Sequence, residues 1–124
     1  GLKKLAFSKW PLLSVIEIGS YSFKHVDVVE LIGLSRLERV VIGRNSFSKQ
    51  KSSIGNYPAG RFYLKDCAQL KELFVDGGSF SHFSVCELEN LPSLEKITVG
   101  DKYCDYACFY HSSLVLKGVL ERGA

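Results

Sequence analysis

The sequence predicts a mostly β repeat solenoid, a chain coiled into about four turns of ~24 residues whose strands form parallel sheets. Three observations predict it. An eleven-residue phrase occurs four times, as LSVIEIGSYSF (Leu13 to Phe23), LERVVIGRNSF (Leu37 to Phe47), LKELFVDGGSF (Leu70 to Phe80) and LEKITVGDKYC (Leu94 to Cys104). A second pattern fills the gaps, as LAFSKWPLL (Leu5 to Leu13), VELIGLSRL (Val29 to Leu37), FYLKDCAQL (Phe62 to Leu70) and CELENLPSL (Cys86 to Leu94), with a partial fifth copy, LVLKGV (Leu114 to Val119). Both patterns alternate apolar and polar residues over three or four positions, which suits short strands with one buried face and not helices.

The phrase starts at residues 13, 37, 70 and 94, so its copies step by 24, 33 and 24 residues. A fixed step of about 20–50 residues marks a stacked array. The first strand of each unit is expected to centre on Phe7, Leu31, Leu64, Leu88 and Leu116, and the second on Ile18, Ile42, Val75 and Val99. An L-x-x-L spacing carries the chain from one to the other. Strands of successive units would lie about 4.8 Å apart, so inward residues should stack in columns. Leu13, Leu37, Leu70 and Leu94 form one, and Phe23, Phe47, Phe80 and Cys104 form another, an aromatic spine along the far edge. No unit can bury its apolar face alone, which is why such units stack.

The longer second step places its extra residues within SKQKSSIGNYPAGR (Ser48 to Arg61). Its Ser, Gly, Pro and Lys content predicts a protruding loop. The loop holds Lys49, Lys51 and Arg61 and no acid, and a solvated loop is a simpler reading of it than a phosphate-binding one.

The chain has 124 residues, 46% of them hydrophobic, enough for one domain with a sizeable core. A net charge of +3 is too small to imply a nucleic-acid partner. No apolar run reaches the roughly 18 residues that span a bilayer, and no signal-peptide pattern opens the chain. Residue 1 is Gly and there is no Met, which reads as a processed chain or a piece of a longer one. Cys67, Cys86 and Cys104 stand where the repeat wants a hydrophobic residue, so they are expected to be free and buried. A disulfide framework would suit a smaller, more Cys-dense chain. Asn45, Asn56 and Asn90 all lack the Ser or Thr that glycosylation needs two residues on. Both points lean towards an intracellular, reducing compartment.

The phrase resembles the leucine-rich repeat signature L-x-x-L-x-L-x-x-N-x-L. Leu37, Val40, Ile42, Asn45 and Phe47 match it throughout, allowing hydrophobic substitutes, while Tyr21, Gly78 and Lys102 stand where the other copies should have Asn. The resemblance runs from about Leu5 to Val119, and the form I-x-I-G-x-x-S-F is most similar to the irregular, BspA-like class. It implies one leucine-rich-repeat-like domain over residues 1–124, a right-handed coil with a parallel sheet on its concave face, and a macromolecule bound there. In the family the Asn side chain hydrogen-bonds neighbouring backbone in the turn. Here Gly and Ser are expected to take that turn by conformation instead.

Repeat arrays present surfaces more often than they do chemistry, and the outward columns agree. A parallel β-helix carbohydrate-active enzyme, the distant alternative, needs acids gathered on one outward face across neighbouring turns. The outward columns of the second strands read Glu17, Val41, Phe74, Thr98; Val15, Arg39, Glu72, Lys96; and Gly19, Gly43, Asp76, Gly100. On the first strands the outward column is Ala6, Glu30, Tyr63, Glu87, Val115. None holds two adjacent acids, so no catalytic residue is assigned. His25 and His82 fall two turns apart, about 10 Å, too far to share a metal. Cys104, Cys108 and His111 have zinc-like spacing but no fourth ligand nearby, so no metal or cofactor is expected.

Function is therefore read as a non-enzymatic protein-binding scaffold, with Glu17, Arg39, Val41, Glu72, Phe74, Lys96 and Thr98 on the concave strand face as partner-binding residues. Phe74 is the anchor, an aromatic pointing outward from a sheet. The alternative is a structural or adhesive segment of a cell-surface repeat protein, self-associating through exposed ends, since Leu2, Leu5, Phe7 and Trp10 at one end and Leu114, Leu116, Val119 and Leu120 at the other carry little charge to blunt them.

Overall fold

Period-two alternation becomes strand throughout. The structure is a computed structural model and describes residues 3–23, 25–44, 46–47, 60–77, 79, 83 and 85–100, with the backbone alone for 113–119. Its strands are β1 (Lys4–Ala6), β2 (Val15–Ile18), β3 (Val28–Ile32), β4 (Arg39–Ile42), β5 (Arg61–Lys65), β6 (Glu72–Val75), β7 (Val85–Leu91), β8 (Lys96–Val99) and β9 (Ser113–Val119). No helix occurs among the described residues.

The strands form two parallel sheets that the chain visits alternately. Sheet A has the order β1-β3-β5-β7-β9 and sheet B the order β2-β4-β6-β8. Parallel neighbours need a long crossover, usually a helix. Here each crossover in one sheet passes through a strand of the other. Ile18, Ile42, Val75 and Val99 stand in register across sheet B, and Leu31, Leu64, Leu88 and Leu116 across sheet A. The sequence places these rows correctly, but the strands of sheet B end on them rather than centring there. Likewise β1 stops at Ala6, one residue short of its expected centre, Phe7.

The core lies between the sheets. Val29, Leu31, Phe62, Leu64, Cys86 and Leu88 reach in from sheet A, and Ile16, Val40, Ile42, Leu73 and Val75 from sheet B. One corner is closed by Leu34, Leu37, Cys67, Leu70, Leu91 and Leu94. Each L-x-x-L spacing there is a single β-turn. Leu37 N–H donates to Leu34 C=O at 3.2 Å, Leu70 to Cys67 at 3.3 Å and Leu94 to Leu91 at 3.2 Å. Gly33, Asp66 and Asn90 precede these turns with φ of 70°, 56° and 54°. Gly, Asp and Asn are the residues that tolerate this left-handed region, and Asn90 Nδ2 donates to Asp66 Oδ1 at 3.0 Å along the column.

The opposite corner keeps part of the expected spine and makes its turn differently. Phe47 is fully buried and stacks on Phe23, centroids 5.4 Å apart, and among the described residues it also meets the Phe83 ring, edge-on at 6.4 Å. Phe80 and Cys104, the remaining members of the expected spine, lie outside the described residues. The turn itself is also made differently. Ser46 Oγ donates to Gly19 C=O at 2.8 Å, and Ser79 Oγ to Gly43 C=O at 2.7 Å. Ser46 Oγ also accepts from Ser22 N–H at 3.4 Å, and Ser79 Oγ from Ser46 N–H at 3.2 Å. Serine thus takes the turn by hydrogen bonding and not by conformation. Nor does glycine supply a left-handed residue at Gly19 or Gly43. Tyr21, Phe23 and Phe47 adopt positive φ, at 60°, 56° and 55°. Gly43 is there for space, because a Cβ would lie 2.6 Å from Ser20 N and 2.9 Å from Ile18 O.

Candidate functional site

Alternation in sheet B sends one set of residues inward and the other out. Ile16, Val40, Ile42, Leu73 and Val75 are buried, so Glu17, Arg39, Val41, Glu72, Phe74, Lys96 and Thr98 share the outward face. Register sets them in two rows. Glu17, Val41, Phe74 and Thr98 face one another across β2, β4, β6 and β8, beside Arg39, Glu72 and Lys96. All seven residues singled out from the sequence are therefore brought onto one sheet face.

That face has an apolar centre and a charged margin. Val41 and Phe74 are paired neighbours, both half-buried. Arg39 Nε lies 3.6 Å from Glu72 Oε2. Lys96 is exposed on the other side of Glu72. Such surface pairs add roughly 0–1 kcal/mol to stability. Four strands about 4.8 Å apart and four residues about 3.3 Å apart make a patch about 14 by 10 Å. A standard interface takes about 800 Å² from each partner. The patch suits a short segment, or the centre of a wider contact.

Sequence reasoning missed a second polar cluster, on the outward face of sheet A. Lys65 Nζ lies 2.8 Å from Glu87 Oε2, 3.4 Å from Glu89 Oε2 and 5.0 Å from the Tyr63 ring centroid. Hydrogen bonding to Glu87 raises the Lys65 pKa, opposed by partial burial and helped by Glu89. Lys4 Nζ similarly meets Glu30 Oε1 at 2.8 Å. Each acid therefore faces a base, the arrangement of a cross-strand ladder. The signal was present in the sequence as Lys65 and Glu89 at matching offsets in consecutive units.

At the β1–β2 end the interior opens into an apolar hollow of about 400 Å³, lined among others by Leu5, Phe7, Trp10, Leu13, Ile16 and Phe23. Trp10 is 54% exposed and Leu12 70%. Trp10 and Leu12 occupy the positions that in the next unit are Leu34 and Arg36, and Leu13 N–H donates to Trp10 C=O at 3.3 Å in the same turn.

Cys67 and Cys86 are free and buried. Burial pushes the Cys86 thiol up to about 12, with the Glu87 charge adding to it, and also raises Cys67. Neither is a nucleophile at neutral pH, because reactivity needs the thiolate. His25 is an exposed edge residue. No group of three or more metal-binding side chains occurs among the described residues. His82, Cys104, Cys108, His111, Lys49 and Lys51 lie outside them. No described helix is long and apolar enough to cross a membrane. Comparison with protein-family models, with curated proteins and with solved structures finds no match to this chain.

Proposed function

We propose that this chain is a β solenoid of the leucine-rich-repeat kind, its units stacked in a right-handed coil, and that it works as a non-enzymatic protein-binding scaffold through the outward face of sheet B. The observation that carries this reading is the pairing of Val41 with Phe74 on that face, inside a margin of Glu17, Arg39, Glu72 and Lys96. An aromatic anchor ringed by charge is the usual make-up of a binding hot spot. The chain's alternation between two in-register sheets supports the solenoid. Paired capture experiments test the function. A partner held by the wild-type chain and lost on Phe74→Ala, with the variant still folded at the assay temperature, supports it. A partner indifferent to Phe74→Ala and Val41→Ser rules this face out.

The hollow at the β1–β2 end favours a second reading, a structural or adhesive segment that associates through its ends. Sedimentation at rising concentration separates the two. Association abolished by Trp10→Ser and Leu12→Ser, with the outward face of sheet B irrelevant, favours the adhesive role.

A further inference from the structure

Just past the last residue of β6, a carboxyl folds back on its own main chain. Gly77 N–H donates to Asp76 Oδ1 at 2.7 Å. A C–O bond is about 1.23 Å long, so the Gly77 nitrogen lies within about 3.9 Å of the Asp76 carboxyl carbon. Reacting atoms in a near-attack arrangement stand at about 3–3.5 Å, and a small turn of the carboxyl closes the difference. Gly77 has no Cβ to hold the carboxyl off. Asp27 and Asp66 are followed by Val28 and Cys67, whereas Asp76 is the chain's one aspartate followed by glycine. The backbone around the pair is also held. Asp76 N–H donates to Ile42 C=O at 2.9 Å, and Asp76 C=O accepts from Ser79 N–H at 3.4 Å. Asp76 is half-buried and Gly77 buried. Much of the rotational freedom that ring closure would remove is therefore already lost.

We propose that Asp76–Gly77 is a self-modification site, where the folded chain isomerises through a cyclic imide to isoaspartate. The Gly77 nitrogen attacks Asp76 Cγ and gives up its proton to solvent. The hydroxyl of the protonated carboxyl leaves with a solvent proton, as water. A second water then opens the ring. Breaking the Cγ–N bond restores aspartate. Breaking the bond from nitrogen to the main-chain carbonyl carbon leaves the main chain running through Cγ. The product has the original mass, and water is the only co-reactant. Its main chain is longer by one methylene, a short way ahead of Ser79, whose Oγ donates to Gly43 C=O at 2.7 Å and accepts from Ser46 N–H at 3.2 Å. The modification therefore slackens the tie between these two units. This chemistry belongs to the chain itself and does not depend on the scaffold reading.

The test keeps the full chain folded at neutral pH and physiological temperature and samples it over weeks. Each sample is denatured, cut with a protease that cleaves before aspartate but not before isoaspartate, and read by mass spectrometry. A missed cut at residue 76 should accumulate about threefold or more faster in the folded chain than in the same chain unfolded in urea. Hydroxylamine should trap the imide at that position. Asp76→Glu, whose longer side chain closes the ring poorly, should abolish both signals. In the converted protein the Ser46 amide should lose hydrogen-exchange protection, since its acceptor is Ser79 Oγ. No missed cut at residue 76 in the folded chain, a rate in urea that is equal or higher, or equal conversion at Asp27 or Asp66 overturns the proposal. Unchanged protection at Ser46 in the converted protein overturns the slackened tie.

Discussion

The Ser46 hydroxyl donates to the carbonyl of Gly19, 2.8 Å away and one unit back. The same bond joins Ser79 to Gly43, so serine ties each turn to the preceding one. Ser46 and Ser79 are fully buried, and removing either hydroxyl takes a partner from a carbonyl, of Gly19 or Gly43, and from an N–H, of Ser22 or Ser46. Ser46→Ala and Ser79→Ala should each cost about 1–3 kcal/mol in urea unfolding. Because Ser46 N–H also donates to Ser79 Oγ, the double variant should depart from the sum of the singles. Losses under about 0.3 kcal/mol for each would show the bonds to be incidental.

Two glycines should respond in opposite ways to substitution. Gly43→Ala forces a Cβ to within 2.6–2.9 Å of the Ser20–Ile18 backbone, which has no flexible end to yield, and should cost more than about 2 kcal/mol. Gly33 has φ +70 but open space where a Cβ would sit, and its column mates are Asp66 and Asn90. Gly33→Asn should therefore stay within about 1 kcal/mol of wild type, since Asn tolerates that backbone. Equal thermal shifts for the two would contradict the distinction between a steric and a conformational glycine.

Phe47 and Phe74 separate the core from the proposed binding face. Phe47→Ala removes a fully buried ring between Phe23 and Phe83 and should cost about 3–5 kcal/mol. Phe74→Ala removes a half-buried ring on the outward face and should cost roughly a third as much. The measurement is the urea midpoint of each variant. Similar losses would mean Phe74 belongs to the core.

Alkaline pH should loosen the protein through its thiols. Burial holds the Cys86 pKa at about 12 and raises that of Cys67. Below about pH 8.5, the ordinary thiol value, both thiols are neutral whether the chain is folded or not. Above it the unfolded chain loses its thiol protons first, so stability falls as pH rises, up to about 12 for Cys86 and until its own raised pKa for Cys67, by up to about 1.4 kcal/mol per pH unit for each thiol. Urea midpoints at pH 8 and 10.5 measure the slope, and Cys86→Val should reduce it. A slope unchanged by that variant would place the alkaline effect elsewhere. In the native state at pH 8, alkylation mapped by mass spectrometry should spare both residues until denaturant is added.

Much of the fold was legible because register in a parallel sheet follows directly from repeat spacing. The rows ending in Ile18 and Leu31, the Leu37–Leu70–Leu94 corner and the seven outward residues of sheet B all come from one offset applied four times. What the repeat could not carry was anything decided by a close approach between units. Glycine at 43 reads as a turn former, yet its backbone is ordinary and it is the Ser20 backbone that excludes a side chain. Serine at 46 and 79 reads as a polar turn residue, and only the 2.7–2.8 Å distance to a neighbouring unit's carbonyl makes it the tie between turns. Phe83 carries no repeat signal, yet its ring meets that of Phe47. Periodicity in a chain records which face each side chain takes. Which atoms meet between neighbouring units depends on three-dimensional contact, and that only the tertiary structure decided.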